Sequence, residues 1–359
     1  MPLVGNCDIR EKFCYPAAST LLFSQSHSST GSGKQRERHL RSRVLDIMDW
    51  LLDSEAAIRW QAMRDITDAS PAAARGRVAH EGLGAAILAC QESDGSWRRP
   101  GAPAWLTTLF TLLLLRATGV NPEEPAVEAA MARLAAGRRW NDVGGRWELR
   151  APETGGNTFF EGEEEPCING GALAIGSYFG RPTESLALLL LGEQLEDGGW
   201  NCEAPKSVRS SFHTTICVLE GLLEYERAVG PAHQLTPQIA SARRRAEEYL
   251  LERSLFRRLS TGEIVNPDFL ELAFPPRYRY DILRALDYFR AADRSPDPRM
   301  SEGIDLIESK RQADGRWLLE RSYGEGLAIP LGESVGEPSR WNTLRALRVL
   351  RWYEQARRD

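Results

Sequence analysis

Apolar side chains recur at helical spacing from Val44 onward. Val44, Ile47, Met48 and Leu51 follow one another at i, i+3, i+4 and i+7. This order places all four on one face of a helix. A second helix is predicted directly afterwards, with Ser54 as its N-cap. The pattern therefore predicts an all-α fold from this point of the chain onward.

A short element with Gln, Asp-Gly and Trp recurs between the helical stretches. Its three full copies occupy residues 91–97, 194–200 and 312–317. A degenerate copy ends at Trp147, 50 residues after Trp97 and 53 residues before Trp200. Because Trp200 and Trp317 are 117 residues apart, a further diverged copy is expected near residues 260–264. A repeat of this length between apolar helices predicts stacked helical hairpins.

Each residue type of the repeat has a structural role. Glycine supplies a turn with positive φ after a helix, and aspartate accepts hydrogen bonds from the backbone amides that follow. Glutamine and tryptophan can pack one turn against its neighbour. We therefore interpret the repeated tryptophans as structural and assign them no chemistry.

Composition and charge narrow the classes of function. Apolar residues make up 42% of the 359 residues, enough for a large buried core. The net charge of −5, with both signs spread along the chain, gives no basic footprint for nucleic acid. No apolar run is long enough to predict a membrane-spanning helix. We therefore expect a cytoplasmic protein, and in a chain this long we interpret the cysteines as reduced thiols rather than a disulfide framework. The cysteines are Cys7, Cys14, Cys90, Cys167, Cys202 and Cys217.

The first 43 residues differ from the rest of the chain. They mix Ser, Gly and Gln with short apolar pieces and show no sustained helical period. We interpret residues 1–43 as a disordered leader and residues 44–359 as one helical domain.

The repeated element resembles the QW repeat of squalene cyclases and the related repeats of protein-prenyltransferase β-subunits. The resemblance implies an α/α toroid, a closed ring of helical hairpins with about 5–6 repeats. Squalene-type cyclases protonate their substrate with an Asp-x-Asp-Asp motif, and no such run occurs here. Its absence counts against a true squalene cyclase.

A second resemblance concerns metal binding. Residues 198–222 resemble the zinc-histidine segment of prenyltransferase β-subunits, and His213 falls on the histidine that binds zinc in that family. Glu165 and Cys167 stand where the family has Asp-x-Cys. The resemblance implies a Zn²⁺ site with Cys167, His213 and either Cys202 or Glu165, and the choice between the last two stays open. Lanthionine-forming cyclases, which are also α/α toroids, have a Cys-Cys-His zinc site.

The residue types at Pro166 and Cys167 also favour a zinc site. Pro166 is suited to the first position of a helix, which places Cys167 in the first turn, where the helix dipole favours a thiolate. Two thiolates and an imidazole suit zinc and leave one coordination position for water or substrate.

Further side chains are candidates for catalysis or substrate binding. Glu161, Glu163 and Glu164 would attract a cation or act as general acid or base if buried, or would form an exposed acidic loop. Prenyltransferases have basic residues at this place to hold a diphosphate, whereas this chain has acidic ones. Tyr278 is a further catalytic candidate in an aromatic and cationic turn. The candidates for orienting a substrate are Lys206, Arg209, Arg340 and Trp341.

These observations lead to one main hypothesis and two alternatives. We expect an enzyme similar to prenyltransferases and terpenoid cyclases, with zinc, acting on an isoprenoid, another apolar small molecule or a thiol-bearing substrate. No partner subunit is evident. One alternative is a non-catalytic toroid that binds a lipid or peptide. The other is a metal-independent terpenoid cyclase with an atypical acid among residues 161–165.

Overall fold

Helices make up the regular structure of this chain. The computed structural model describes residues 46–67, 69–137, 158–324 and 327–356. Within these residues, β-pairing is limited to isolated bridges such as Arg257 with Ile264. The prediction of an all-α fold is therefore confirmed for the described part of the chain. The predicted leader, residues 1–43, and the degenerate repeat at Trp147 lie outside the described residues.

The helices are joined by connections that range from short turns to the long segments 252–281 and 310–339. In chain order they are α1 (46–52), α2 (Ala56–Ile66), α3 (Ala72–Gly76), α4 (Gly82–Ala89), α5 (Ala104–Thr118), α6 (Pro125–Gly137), α7 (Pro166–Tyr178), α8 (Glu184–Gly192), α9 (Phe212–Val229), α10 (Thr236–Leu251), α11 (Ile282–Ala291), α12 (Ser301–Ser309) and α13 (Arg340–Gln355). Short 3-10 turns occupy Phe159–Glu161, Pro267–Leu270 and Pro298–Met300. Among the described helices, none combines the length and apolar character that crossing a bilayer requires.

Packing joins helices that are distant in the sequence. The most extensive contact lies between α7 and α9, and α5 also packs on α7. Helix α13 contacts both α11 and α2, so the last helix lies against one of the first. Helix α4 connects α2 to α5 by contacts with both.

The three full repeats build the same buried joint. Trp97, Trp200 and Trp317 are completely buried. Each indole N–H donates to a carbonyl oxygen at the end of the preceding helix, at 2.7–2.8 Å; the acceptors are Ile87, Leu190 and Ile307. Each tryptophan amide donates to a threonine hydroxyl on the following helix; the threonines are Thr108, Thr215 and Thr343. Because each tryptophan ties one helix to the next, the predicted structural role is confirmed.

The repeat glycines adopt positive φ and the repeat aspartates accept backbone hydrogen bonds, but Asp197 binds a residue outside its own turn. Gly198 has φ +96°, and its counterparts in the other two copies are also in the left-handed region. Asp94 accepts from the amide of Ser96, as predicted. Asp197 instead accepts from the amide of Ser210 at 2.9 Å and from its hydroxyl. The second copy is thereby tied to the segment that leads into α9.

The diverged copy expected near residues 260–264 is only partly a repeat. Gly262 has φ +72°, as a turn of this kind requires. Ile264 is 39% exposed, so no buried side chain takes the place of the tryptophan there.

Candidate metal and thiol site

The first turn of α7 begins as the sequence predicts. Pro166 is the first residue of the helix and Glu165 is its N-cap, with extended backbone. Cys167 therefore lies in the first turn. Helix α9 begins similarly, because Ser211 is its N-cap and accepts from the amide of Thr214.

Glycines bring α7 and α9 into close contact. A Cβ atom added at Gly170 would lie 2.6 Å from the carbonyl oxygen of Cys217, and one added at Gly221 would overlap the carbonyl oxygen of Gly170. Only glycine allows the two backbones to approach this closely. The contact sets the start of α7 beside the start of α9 and beside the turn at residues 201–206.

Three of the predicted ligands meet at this point. One ligand atom each from Glu165, Cys167 and Cys202 lies within 4.8 Å of the other two. The Sγ atom of Cys167 is 3.9 Å from Oε2 of Glu165. All three side chains are half-buried.

The neighbours of these groups change their acidity. The hydrogen bond between the two sulfur atoms, together with burial, raises the pKa of Cys167 well above its usual range. The same hydrogen bond, in which Cys202 is the acceptor, lowers the pKa of Cys202. Burial raises the pKa of Glu165. The two neighbouring thiols therefore differ in acidity, and Cys202 is the more acidic of the two.

This donor set fits zinc. Two sulfur ligands of a tetrahedral zinc, each about 2.3 Å from the metal, lie about 3.8 Å from each other. The three ligand atoms all lie within 4.8 Å of one another, which is compatible with this spacing. Two thiolates and a carboxylate are also ligands that zinc accepts.

Glu163 lies beside the three ligands. Its Oε1 accepts from the amide of Glu165 at 3.0 Å. Asn169, on α7, holds the backbone of Glu163 from both sides, accepting from its amide at 2.9 Å and donating to its carbonyl at 2.6 Å. Burial and the neighbouring Glu165 raise the pKa of Glu163 to about 8.

The structure gives His213 a different contact. Its Nδ1 accepts the amide N–H of Tyr280 at 2.9 Å, and its ring stands edge-on to Phe269. A neutral imidazole that accepts at Nδ1 carries its proton on Nε2, so neither nitrogen offers a lone pair to a metal. His213 does not join the group formed by Glu165, Cys167 and Cys202.

The other catalytic candidates, Glu161, Glu164 and Tyr278, have surroundings different from those of Glu163. Glu161 forms a capping box with Thr158, whose amide donates to its Oε2 at 2.6 Å. Glu164 is exposed. The carbonyl of Tyr278 accepts from the Cys217 thiol at 3.6 Å, and its ring lies near Phe110. Tyr278 therefore touches α9 through Cys217.

The four substrate-binding candidates do not converge. Lys206 and Arg209 are exposed in the stretch between Trp200 and α9. The guanidinium of Arg340 lies 4.6 Å from the ring centre of Trp50. Trp341 is 4% exposed and stacks on Phe274 with ring centres 4.4 Å apart. Helix packing explains the last two positions.

Two polar residues of the site were not among the sequence candidates. The Thr214 hydroxyl lies 3.3 Å from the Cys202 sulfur, and Asn169 is 1% exposed. An asparagine within a helix of small apolar residues was the available signal, because a buried amide needs partners. Cys217, interpreted from the sequence as inert, is buried, and burial raises the pKa of its thiol to about 11.

The arrangement offers two sulfur atoms and a carboxylate in a half-buried position. With a metal it is a three-ligand centre, and without one it is a pair of adjacent thiols. Comparison of the sequence with protein-family models and with curated proteins finds no match in either, so the function is inferred from the chemistry of the site.

Proposed function

We propose that this chain is a toroid-fold enzyme that binds Zn²⁺ through Glu165, Cys167 and Cys202. The observation that carries this proposal is the convergence of their three ligand atoms within 4.8 Å. The substrate would be a thiol-bearing or largely apolar molecule. The resemblance of the repeats to those of prenyltransferases and terpenoid cyclases favours the same class.

A closed ring is supported by the order of the helix contacts. Helix α5 packs on α7, α7 packs on α9, α11 packs on α13, and α13 packs on α2. The ion pair of Arg284 with Glu220, at 2.8 Å, connects α11 to α9. The contact of α13 with α2, together with α4 between α2 and α5, would complete the ring.

Zinc would stabilise a bound thiolate or polarise a substrate oxygen, since three protein ligands leave one position for substrate. Neighbouring residues would hold the three ligands in place around this open coordination position. The Thr214 hydroxyl orients Cys202, and Asn169 fixes the loop that carries Glu163 and Glu165. The rings of Phe110 and Tyr278, with centres 6.3 Å apart, supply an apolar wall next to α9.

The metal site can be tested with Co²⁺ on the full chain, because thiolate–cobalt bonds absorb strongly in the near ultraviolet. The wild type should show this absorption, and Cys202→Ala should lose most of it. Cys90→Ala is the matched control, because Cys90 is exposed and distant from the three ligands in the sequence. Equal absorption in the wild type and in Cys202→Ala would overturn the ligand assignment.

The activity can be tested with a small thiol and an allylic diphosphate as electrophile. The thiol sulfur forms the new carbon–sulfur bond, the carbon–oxygen bond to diphosphate breaks, and the thiol proton passes to solvent. We expect thioether formation by the zinc-loaded wild type and by Cys90→Ala, and at least a tenfold loss in Cys167→Ala. Equal rates in all three proteins would contradict a role of the site in catalysis.

A further inference from the structure

Two adjacent sulfur atoms have a chemistry of their own. We propose that Cys167 and Cys202 form a reversible disulfide, so that the site is also a dithiol that a low-molecular-weight disulfide oxidises. The proposal rests on the site of the proposed function, but its chemistry needs no bound metal.

The distance between the sulfur atoms carries the proposal. They lie within 4.8 Å of each other, whereas a disulfide bond is about 2.05 Å long. The remaining approach is small enough for a local movement of one side chain and its turn. Cys167 is fixed in the first turn of α7, but Cys202 lies in the turn at residues 201–206, where residues 203–206 are exposed. Cys202 is therefore the partner that can move.

The exposure of the cysteines also decides which protein sulfur reacts first with a small disulfide. Cys202 borders an exposed turn, so a small disulfide can reach it from solvent. Cys217 is 5% exposed, lies within α9, and accepts from Arg284 at 3.7 Å. Cys90 is exposed but does not belong to the group of close ligand atoms. Among the described cysteines, only Cys167 and Cys202 combine access with an adjacent second thiol.

The reaction balances as a thiol–disulfide exchange. The Cys202 sulfur attacks the small disulfide, whose S–S bond breaks and releases one small thiol. The Cys167 sulfur then attacks Cys202 in the mixed disulfide and releases the second small thiol. Two protein thiols and one small disulfide give one protein disulfide and two small thiols, and the two thiol protons end on the released thiols.

Oxidation would switch the metal site off. Zinc binds cysteine as thiolate, and a disulfide offers none. The oxidised chain keeps only Glu165 of the three ligands, so it should lose the metal. A small thiol in excess reverses the exchange and restores the site.

The test uses the full chain, reduced, stripped of metal and incubated with oxidised glutathione. Peptide mapping by mass spectrometry should find the peptide of Cys167 joined to that of Cys202, lighter by two hydrogens than the reduced pair. Cys167→Ala should instead retain a glutathione adduct on Cys202, because the thiol that resolves it is missing. Cys217→Ala should form the same disulfide as the wild type. Co²⁺ absorption should be absent after oxidation and return after dithiothreitol.

Two results would overturn the proposal. One is the absence of the joined peptide under conditions that modify Cys90. The other is a joined peptide in a protein that shows Co²⁺ absorption when reduced and keeps it unchanged after oxidation, which would contradict the loss of the metal site. A chain that forms the disulfide but binds no metal when reduced would support the disulfide and remove only the proposed zinc function.

Discussion

At the scale of single residues, burial determines the acidity of Glu193. This residue follows α8 directly, and its Oε2 is buried without a hydrogen-bond partner among the described residues. Burial raises the pKa of Glu193 from 4.5 to about 7. The folded protein therefore binds a proton here more tightly than the unfolded chain does.

This pKa predicts how stability depends on pH. As pH rises from about 4.5 to about 7, the ionised carboxylate becomes costly only in the folded state, so the free energy of unfolding should fall. Glu193→Gln should remove this dependence and stabilise the protein at pH 8 by about 1 kcal/mol, allowing for partial solvent screening. Urea unfolding at pH 5 and pH 8 measures the free energy of unfolding of both proteins. Glu196→Gln is the control, because Glu196 is exposed. Equal stabilities of wild type and Glu193→Gln at pH 8 would contradict the raised pKa.

Residues near one another in sequence were easier to predict than residues that meet in space. Pro166 could be predicted because helix starts depend on neighbours within a turn, whereas the predicted N-cap Ser54 was wrong by one residue, since Glu55 is the N-cap of α2. The contact of His213 with the amide of Tyr280 spans 67 residues, and no local pattern contains it. Cys202 and Glu165 were both candidates from the sequence, and only the packing of α7 on α9 brings both to Cys167.

At the scale of elements, the close approach of α7 and α9 determines the site. Gly170 faces the backbone of Cys217 and Gly221 faces the backbone of Gly170, and the sequence showed small residues there without showing which helix they meet. The repeats could be predicted, because each joint is formed by residues within about two helices. The hydrogen bond of Asp197 with Ser210 could not be predicted, because Ser210 lies 13 residues further along the chain, just before α9.

Gly221→Ala tests this contact. The added methyl would overlap the carbonyl of Gly170 and force α7 away from α9, at a cost of about 2–3 kcal/mol in unfolding free energy. It should also weaken Co²⁺ binding, because Cys167 and Cys202 would separate. Gly192→Ala is the matched control, since a Cβ at Gly192 meets nothing within 4 Å. Unchanged stability and Co²⁺ absorption in Gly221→Ala would show that the spacing of the two helices does not set the site.

At the scale of the whole helical domain, a buried charge network joins the last helix to earlier ones. Arg348, on α13, contacts Asp65 at 3.2 Å and Gln61 at 3.0 Å on α2. Its Nε donates to Asp287, on α11, at 2.8 Å. Burial opposes ionisation of Asp287, but the charge of Arg348 holds the pKa of Asp287 below its usual range. The hydrophobic pattern could predict the helices, but not this pairing across 283 residues.

Removing Arg348 should therefore destabilise the fold strongly. Arg348→Met leaves buried Asp287 without its main cation and removes one of the cations beside Asp65, which should lower the unfolding free energy by about 3 kcal/mol. Arg77→Ala is the control, because the exposed Arg77 pairs with Glu81 four residues further along the chain and should change stability far less. Chemical denaturation at pH 7 compares them. Equal effects of both substitutions would contradict the role of this network in joining α13 to α2.

The central claim is a zinc centre formed by Glu165, Cys167 and Cys202, and metal content tests it most directly. The full chain would be purified without chelators under reducing conditions and its zinc measured by plasma mass spectrometry. Cys167→Ala/Cys202→Ala and His213→Ala would be measured in parallel. The account predicts about one zinc per chain in the wild type and in His213→Ala, and none in the double variant. A wild type without zinc, or a double variant that keeps it, would contradict the account.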